Sequence, residues 1–239
     1  MMPPEWYLEA LCQISGHICG LFLSPAKKIV LYRGLIVILV GIIILAALAG
    51  NIMSNVEQPD YKLITSEENI EIRDYSPMIL AEVEVSGERK QAIREGFKIL
   101  ADYIFGNNTS KIKMEMTAPV TNELSEKMAM TAPVIQEQHM DKWEVRFVMP
   151  KKYSLETLPK PNSKDVVLIH LPARRFAVIR FSGLADDENI KQHTDELKAF
   201  ILAETLKPIG EPILAFYNPP WTLPFLRRNE VMIEIGVDR

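Results

Sequence analysis

The sequence predicts an α+β fold: a distorted antiparallel β-barrel flanked by two helices, built from two strand–strand–helix–strand halves and preceded by one N-terminal transmembrane helix. Three observations carry this expectation. The same order of alternating and helix-periodic segments begins at residue 70 and again at residue 165. The stretches "AEVEVSG" (81–87) and "AVIRFSG" (177–183) align 96 residues apart, and each leads into a helical segment. Upstream, "GLIVILVGIIILAALAG" (34–50) is an unbroken apolar run.

With 239 residues, 48% of them hydrophobic and 24% charged, the chain can bury one good-sized core. The net charge is only -4 and the basic residues form no long runs, so no nucleic-acid surface is expected. No charge follows Arg33 until Glu57, which leaves about twenty residues to cross a hydrocarbon core. Lys27, Lys28 and Arg33 precede the run, and Glu57 and Asp60 follow it. The positive-inside bias then puts the N-terminus in the cytoplasm and the globular part outside, in the periplasm if the cell is Gram-negative. The ending "LAALAG" also matches a signal-peptidase site, but the length of the run favours an uncleaved anchor. The expected organisation is a short cytoplasmic segment (1–33), an anchor (34–54), a linker (55–60) and one domain (61–239). Cys12 and Cys19 both precede the anchor, so the domain has no disulfide.

Within the domain, "IEIRDYSPMILAEVEVSG" (70–87) reads as two strands around Ser76-Pro77, a hairpin-like pair. Residues 88–108 read as a helix with Ile93, Phe97, Leu100 and Ile104 at helical spacing, punctuated by Gly106-Asn107-Asn108. Two octets, "KMEMTAPV" (113–120) and "KMAMTAPV" (127–134), alternate as strands, and "KWEVRFVMP" (142–150) closes the half. In the second half, 165–183 gives two strands around a proline, and 186–206 gives a helix opened by acidic residues. Met114, Met116, Met128 and Met130 would make a thioether site for Cu(I) only if their sulfurs converged. Alternation ahead of proline instead makes them structural packing, so no metal site is expected.

The octets, the strand "WEVRFVMP", the opening "FSGLADDENI" of the second helix and the C-terminal "FYNPPWTLPFLRRNEVMIEI" (216–235) together resemble the SOUL/haem-binding protein family. The resemblance implies a distorted β-barrel with two helices and non-covalent binding of haem or another tetrapyrrole. The fold is also similar to the effector-binding domains of bacterial multidrug-responsive regulators. A membrane-tethered module that binds a tetrapyrrole or another flat hydrophobic small molecule is therefore expected.

A porphyrin needs apolar wall, cations for its propionates and, in some sites, an iron ligand. On the first helix Ile93, Leu100 and Ile104 mark a core face, while Phe97, Ala101 and Phe105 make a flanking stripe bordered by Arg94 and Lys98. The resemblance places the haem cleft at this helix, with Arg94 matching a basic family position and Asp102 departing from a second one. It also brings the "YNPPWTLPF" loop (217–225), with Trp221 and Phe225, near that helix. His193 lies on the inward face of the second helix and is a candidate cofactor contact; His170 sits on a strand and His139 in a polar stretch. Asp74 stands where some members have a histidine. The domain has no cysteine, no G-x-S-x-G and no H-E-x-x-H, so no catalytic residues and no enzyme are expected. The alternative to a binder is a membrane-anchored interaction or structural domain.

Overall fold

The computed structural model describes residues 56–110 and 125–236, together with positions 32–34, 36–38 and 40–41. Both cysteines, the first methionine octet and most of the expected anchor lie outside the described residues. The chain divides into two units, 1–46 and 47–239. In the first, the described positions are helical, with Ile36, Val37, Ile38 and Val40 exposed. Among the described residues no helix is long and apolar enough to cross a membrane.

The second unit is α+β. Its strands are β1 (Tyr61–Glu67), β2 (Ile70–Tyr75), β3 (Met78–Ser86), β4 (Asn108–Thr109), β5 (Val134–His139), β6 (Lys142–Val148), β7 (Lys160–Pro161), β8 (Val167–Leu171), β9 (Arg174–Phe181), β10 (Pro208–Phe216) and β11 (Asn229–Ile235). Helix α1 spans Arg89–Ile104 and α2 spans Asp187–Ala203. Nine strands form one antiparallel sheet in the order β1-β2-β9-β11-β10-β5-β6-β3-β8, and β4 pairs with β7 apart from it. With β1 set aside the order is palindromic. The first strand of each half (β2, β8) lies on the second strand of the other (β9, β3), and the third strands, β5 and β10, meet at the centre.

The expected hairpin of residues 70–87 does not form, because β2 pairs with β1 and β9 while β3 pairs with β6 and β8. Pro77 has no N–H to give, and the Ser76 N–H donates to the Asp60 carbonyl (3.0 Å), so this bend carries the chain between distant strands. The second octet is also not a strand until Val134. Its backbone is tied by single contacts instead: Met128 N–H to the Ile104 carbonyl (2.8 Å), and Thr131 bridged to Glu57. Met128 is buried against the α1 core, as the packing reading expects.

Both helices are capped as their sequences require. Glu88 accepts from Lys90 N–H, and Asp186 accepts from Asn189 N–H ahead of the acidic first turn of Asp187 and Glu188. Both pack on one face of the sheet. Leu197 and Ile201 of α2 meet Ala177, Ile179, Val231 and Ile233, and α1 meets Ala81, Val83, Val145 and Phe147. The buried line of α1 runs through Ala92, Gly96, Leu100, Tyr103 and Ile104. Gly96 is the closest approach, since a Cβ there would lie 2.7 Å from Val145 Cγ2 and 3.2 Å from Val83 Cγ1. Gly96→Ala is therefore expected to cost about 1–3 kcal/mol in urea denaturation, although alanine is the better helix former. Combined with Val145→Ala, the loss should fall short of the sum of the two single substitutions.

Candidate functional site

Because the buried line of α1 is centred on Gly96, its neighbours on one side emerge at the surface. Phe97 is 39% exposed with its ring edge-on to Phe147 (centroids 5.2 Å apart), Ala101 is half-buried, and Phe105 is 55% exposed. Arg94 and Lys98 are exposed beside them and form no ion pair among the described residues. Asp102, the acidic departure on this helix, accepts from the Asn107 side chain (2.6 Å) at the helix end. The result is an outward apolar strip about two turns long, edged by two available cations.

The other expected contacts, His193, Trp221 and Phe225, are carried by α2 and by the loop between β10 and β11. His193 is half-buried and stacked on Phe181 (4.2 Å between centroids, 15°), and its Nδ1 lies 2.8 Å from the Asn189 carbonyl. Trp221 and Phe225 are 59% and 69% exposed on the loop between β10 and β11. That loop is fastened to the β9–α2 turn by Gly183 N–H donating to the Pro224 carbonyl (2.9 Å). No hydrogen bond, ion pair or ring contact among the described residues joins it to the α1 strip. His139 and His170 are exposed. Among the described residues no group of three or more His, Cys, Asp or Glu side chains could hold a metal ion.

A third feature was not anticipated from the sequence. The sheet face opposite the helices encloses a cavity of about 460 Å³ lined by Tyr75, Leu80, Ile135, Phe176, Ile213 and Tyr217, among others. Tyr75 of β2 and Leu171 of β8 both line it although they stand near opposite ends of the strand order, so the sheet is strongly curled into a half-barrel. A second hollow of about 380 Å³ shares Pro59, Met78 and His170 with it. The lining residues are spread over eight strands, with at most four from any one, so no single local sequence pattern marks the cavity.

Charge on this face is uneven. Arg146 is ringed by Glu82, Glu137 and Glu144, and Arg174 pairs with Glu234 (2.6 Å), while Glu211 adds a further carboxylate to the lining. Carboxylates thus outnumber guanidiniums. Burial pushes the Glu144 carboxyl up, and Arg146 opposes the rise without cancelling it. Nearby, Arg73 and Glu230 form a buried bidentate pair (3.0 and 3.1 Å) with both side chains almost fully enclosed. Glu230 also accepts from Arg228 (2.9 Å) and the Tyr217 hydroxyl (2.8 Å), and Arg73 donates to the Tyr75 hydroxyl (3.0 Å). Burial alone would raise the Glu230 pKa; the hydrogen bond and charge of Arg73, with Arg228 and Tyr217, outweigh it and hold the carboxyl below its usual value. Burial pushes Tyr75 up to about 12 and Tyr217 well above its ordinary value, so both rings stay neutral in the cavity wall.

The family model described as SOUL heme-binding protein matches residues 56–234. A search of curated protein sequences gives no match. Among solved structures the chain is similar to the EcmrR C-terminal domain, with TM-score 0.50 and 9% identity over 74% of this chain and 99% of that one. It is also similar to EcmrR in a cryo-EM complex with DNA, with TM-score 0.51 and 9% identity over 99% of this chain and 86% of that one. A Listeria innocua protein described as a hydrolase gives TM-score 0.46 and 14% identity over 72% of this chain and 94% of that one. At these identities the likenesses to EcmrR show a shared fold and no more.

The buried pair makes a prediction about acid stability. A carboxyl held low in the fold contributes stability above its unfolded value of about 4.3 and loses it as pH falls through its folded value. Glu230→Gln should therefore flatten the acid limb of a urea-stability profile. At pH 7 it should cost about 3 kcal/mol, because buried Arg73 keeps only the partly exposed Glu71 (2.6 Å) as a carboxylate partner. Replacing Arg73 and Glu230 together by Met and Leu should recover most of that loss.

Proposed function

The chain belongs to the SOUL heme-binding protein family, and from that premise we propose that it is a non-enzymatic binder of haem or a related tetrapyrrole, held on the outer strip of α1. One observation carries this reading: Phe97 and Phe105 stand exposed in line with Ala101, with Arg94 and Lys98 exposed along the same side of the helix and in no ion pair among the described residues. A macrocycle would lie across the rings with its propionates toward the two cations. The concave cavity suits the same ligand less well, because its carboxylate surplus opposes propionates. That cavity favours a second reading, the binding of a flat neutral or cationic hydrophobic molecule among Tyr75, Phe176 and Tyr217.

The α1 strip fits the macrocycle and its acids, and it contains no histidine; the described histidines lie on β5, β8 and α2. When bound, haem would supply its own iron chemistry, while the residues of this helix contribute apolar contact and charge. We further read the domain as membrane-tethered and extracytoplasmic. The apolar run 34–50 and the basic residues before it support this. The two halves are read as repeats of one unit, which the palindromic strand order supports.

Adding haem to the full chain in nanodiscs should give a saturable, stoichiometric Soret shift. Arg94→Ala with Lys98→Ala should weaken it roughly tenfold, and more at low salt, since partly exposed charges each contribute about 0.2–1 kcal/mol and are screened. No shift at all would favour an interaction or structural domain, and steady bleaching would point to an enzyme. Metal-free protoporphyrin should bind within about threefold of haem, because the strip contributes no iron ligand. Tight haem binding with none for protoporphyrin would move the site to a histidine.

A further inference from the structure

Leu184, Trp221, Phe225 and Leu226 are all exposed, by 53%, 59%, 69% and 37%, on the β9–α2 turn and the loop bonded to it. These side chains are presented by construction. Arg227 folds its guanidinium back onto the Thr222 and Pro220 carbonyls (2.8 and 2.5 Å), closing the loop from within, and Thr222 is buried beneath it. Residues 219–226, "PPWTLPFL", carry no charge, and three of the eight are proline. Such a tip has little conformational entropy left to lose on contact.

What it faces follows from the path of the chain. Tyr217 N–H donates to the Arg228 carbonyl (3.2 Å) and Arg228 N–H to the Asn218 side chain (2.6 Å), which together close the root of the loop. At that root Arg228 Nη1 donates to the Gln58 side chain (3.1 Å), and Val56 packs in the cluster that contains Tyr217. The chain therefore enters the domain at the base of the exposed loop. Residues 51–57 between the apolar run and Gln58 reach at most about 25 Å when extended.

We infer that the loop 219–226, with Leu184, docks into the headgroup–acyl boundary of the bilayer that anchors the chain. This rests on the membrane-tethered reading above and is independent of haem. Trp221 is the side-chain type that settles at that boundary, and an uncharged tip inserts through apolar contact. Association of the tip is accordingly insensitive to anionic lipid and to salt.

The test uses the haem-free full chain in phosphatidylcholine vesicles, with plain or acyl-brominated lipid, beside its Trp221→Phe variant. The difference between the two emission spectra isolates Trp221. It should be blue-shifted and quenched about twofold by brominated lipid, with or without anionic lipid and high salt. A chain that resists alkaline carbonate extraction while Trp221 stays unquenched overturns the docking and leaves the anchor standing. A chain released by carbonate but quenched at Trp221 beforehand overturns the anchor and leaves the docking. A chain that does not float with vesicles overturns both.

Discussion

Arg73 reaches from β2 past β9 to Glu230 on β11, and this buried ion pair directly ties two strands that the backbone ladder joins only through β9. Its charges are removed from water, and its desolvation penalty is repaid only because every acceptor is used: two guanidiniums and a tyrosine hydroxyl converge on one carboxylate. The pair sets more than stability. Tyr75 and Tyr217, positioned through their hydroxyls, become the wall of the concave cavity. Arg228, positioned through Glu230 and stacked over Tyr217 (3.8 Å to the ring centroid), closes the root of the loop and receives the incoming chain at Gln58.

The two faces of the sheet have opposite charge character, and magnitudes show which difference matters more. At an effective dielectric near 20, an unmatched carboxylate about 6 Å from a propionate costs roughly 3 kcal/mol, enough to disfavour that ligand about a hundredfold. The exposed cations of α1 attract the same group by less than about 1 kcal/mol each. For the ligand proposed above, discrimination between the two surfaces would come mainly from exclusion at the concave face, where Glu82, Glu137 and Glu144 crowd one arginine. Attraction at α1 is the smaller effect.

Local structure was legible where a residue's neighbours in sequence are also its neighbours in space. Both helices, the acidic opening of the second and the apolar stripe of Phe97, Ala101 and Phe105 are read from adjacent residues and their spacing. Partnership between distant segments was not. The alternation in "IEIRDY" identifies a strand but cannot tell that Arg73 pairs 157 positions away or that β2 avoids β3. The cavity is invisible for the same reason. For the second octet, alternation misleads: Met128 is buried as expected, yet the backbone around it is tied by single bonds to Ile104 and Glu57 and not by a ladder. The resemblance brings the Trp221 loop near α1; its hydrogen bonds run to Gly183 and to its own backbone, and the turn that holds Gly183 is tied to the start of α1 by Arg89, which donates to the Ala185 carbonyl (3.0 Å).

What is exposed on α1 follows from how deeply the helix is seated. Without a side chain at Gly96 the helix axis closes on Val83 and Val145, and the buried line is Ala92, Gly96, Leu100, Tyr103 and Ile104. A helix held farther out by a larger residue would need Phe97 to fill the gap against Phe147, where the ring now rests only by its edge. The residues beside the glycine are released to the surface by the same contact that seats the helix. Apolar strip and tight core are thus one packing solution, and the strip cannot be buried without loosening the core that presents it.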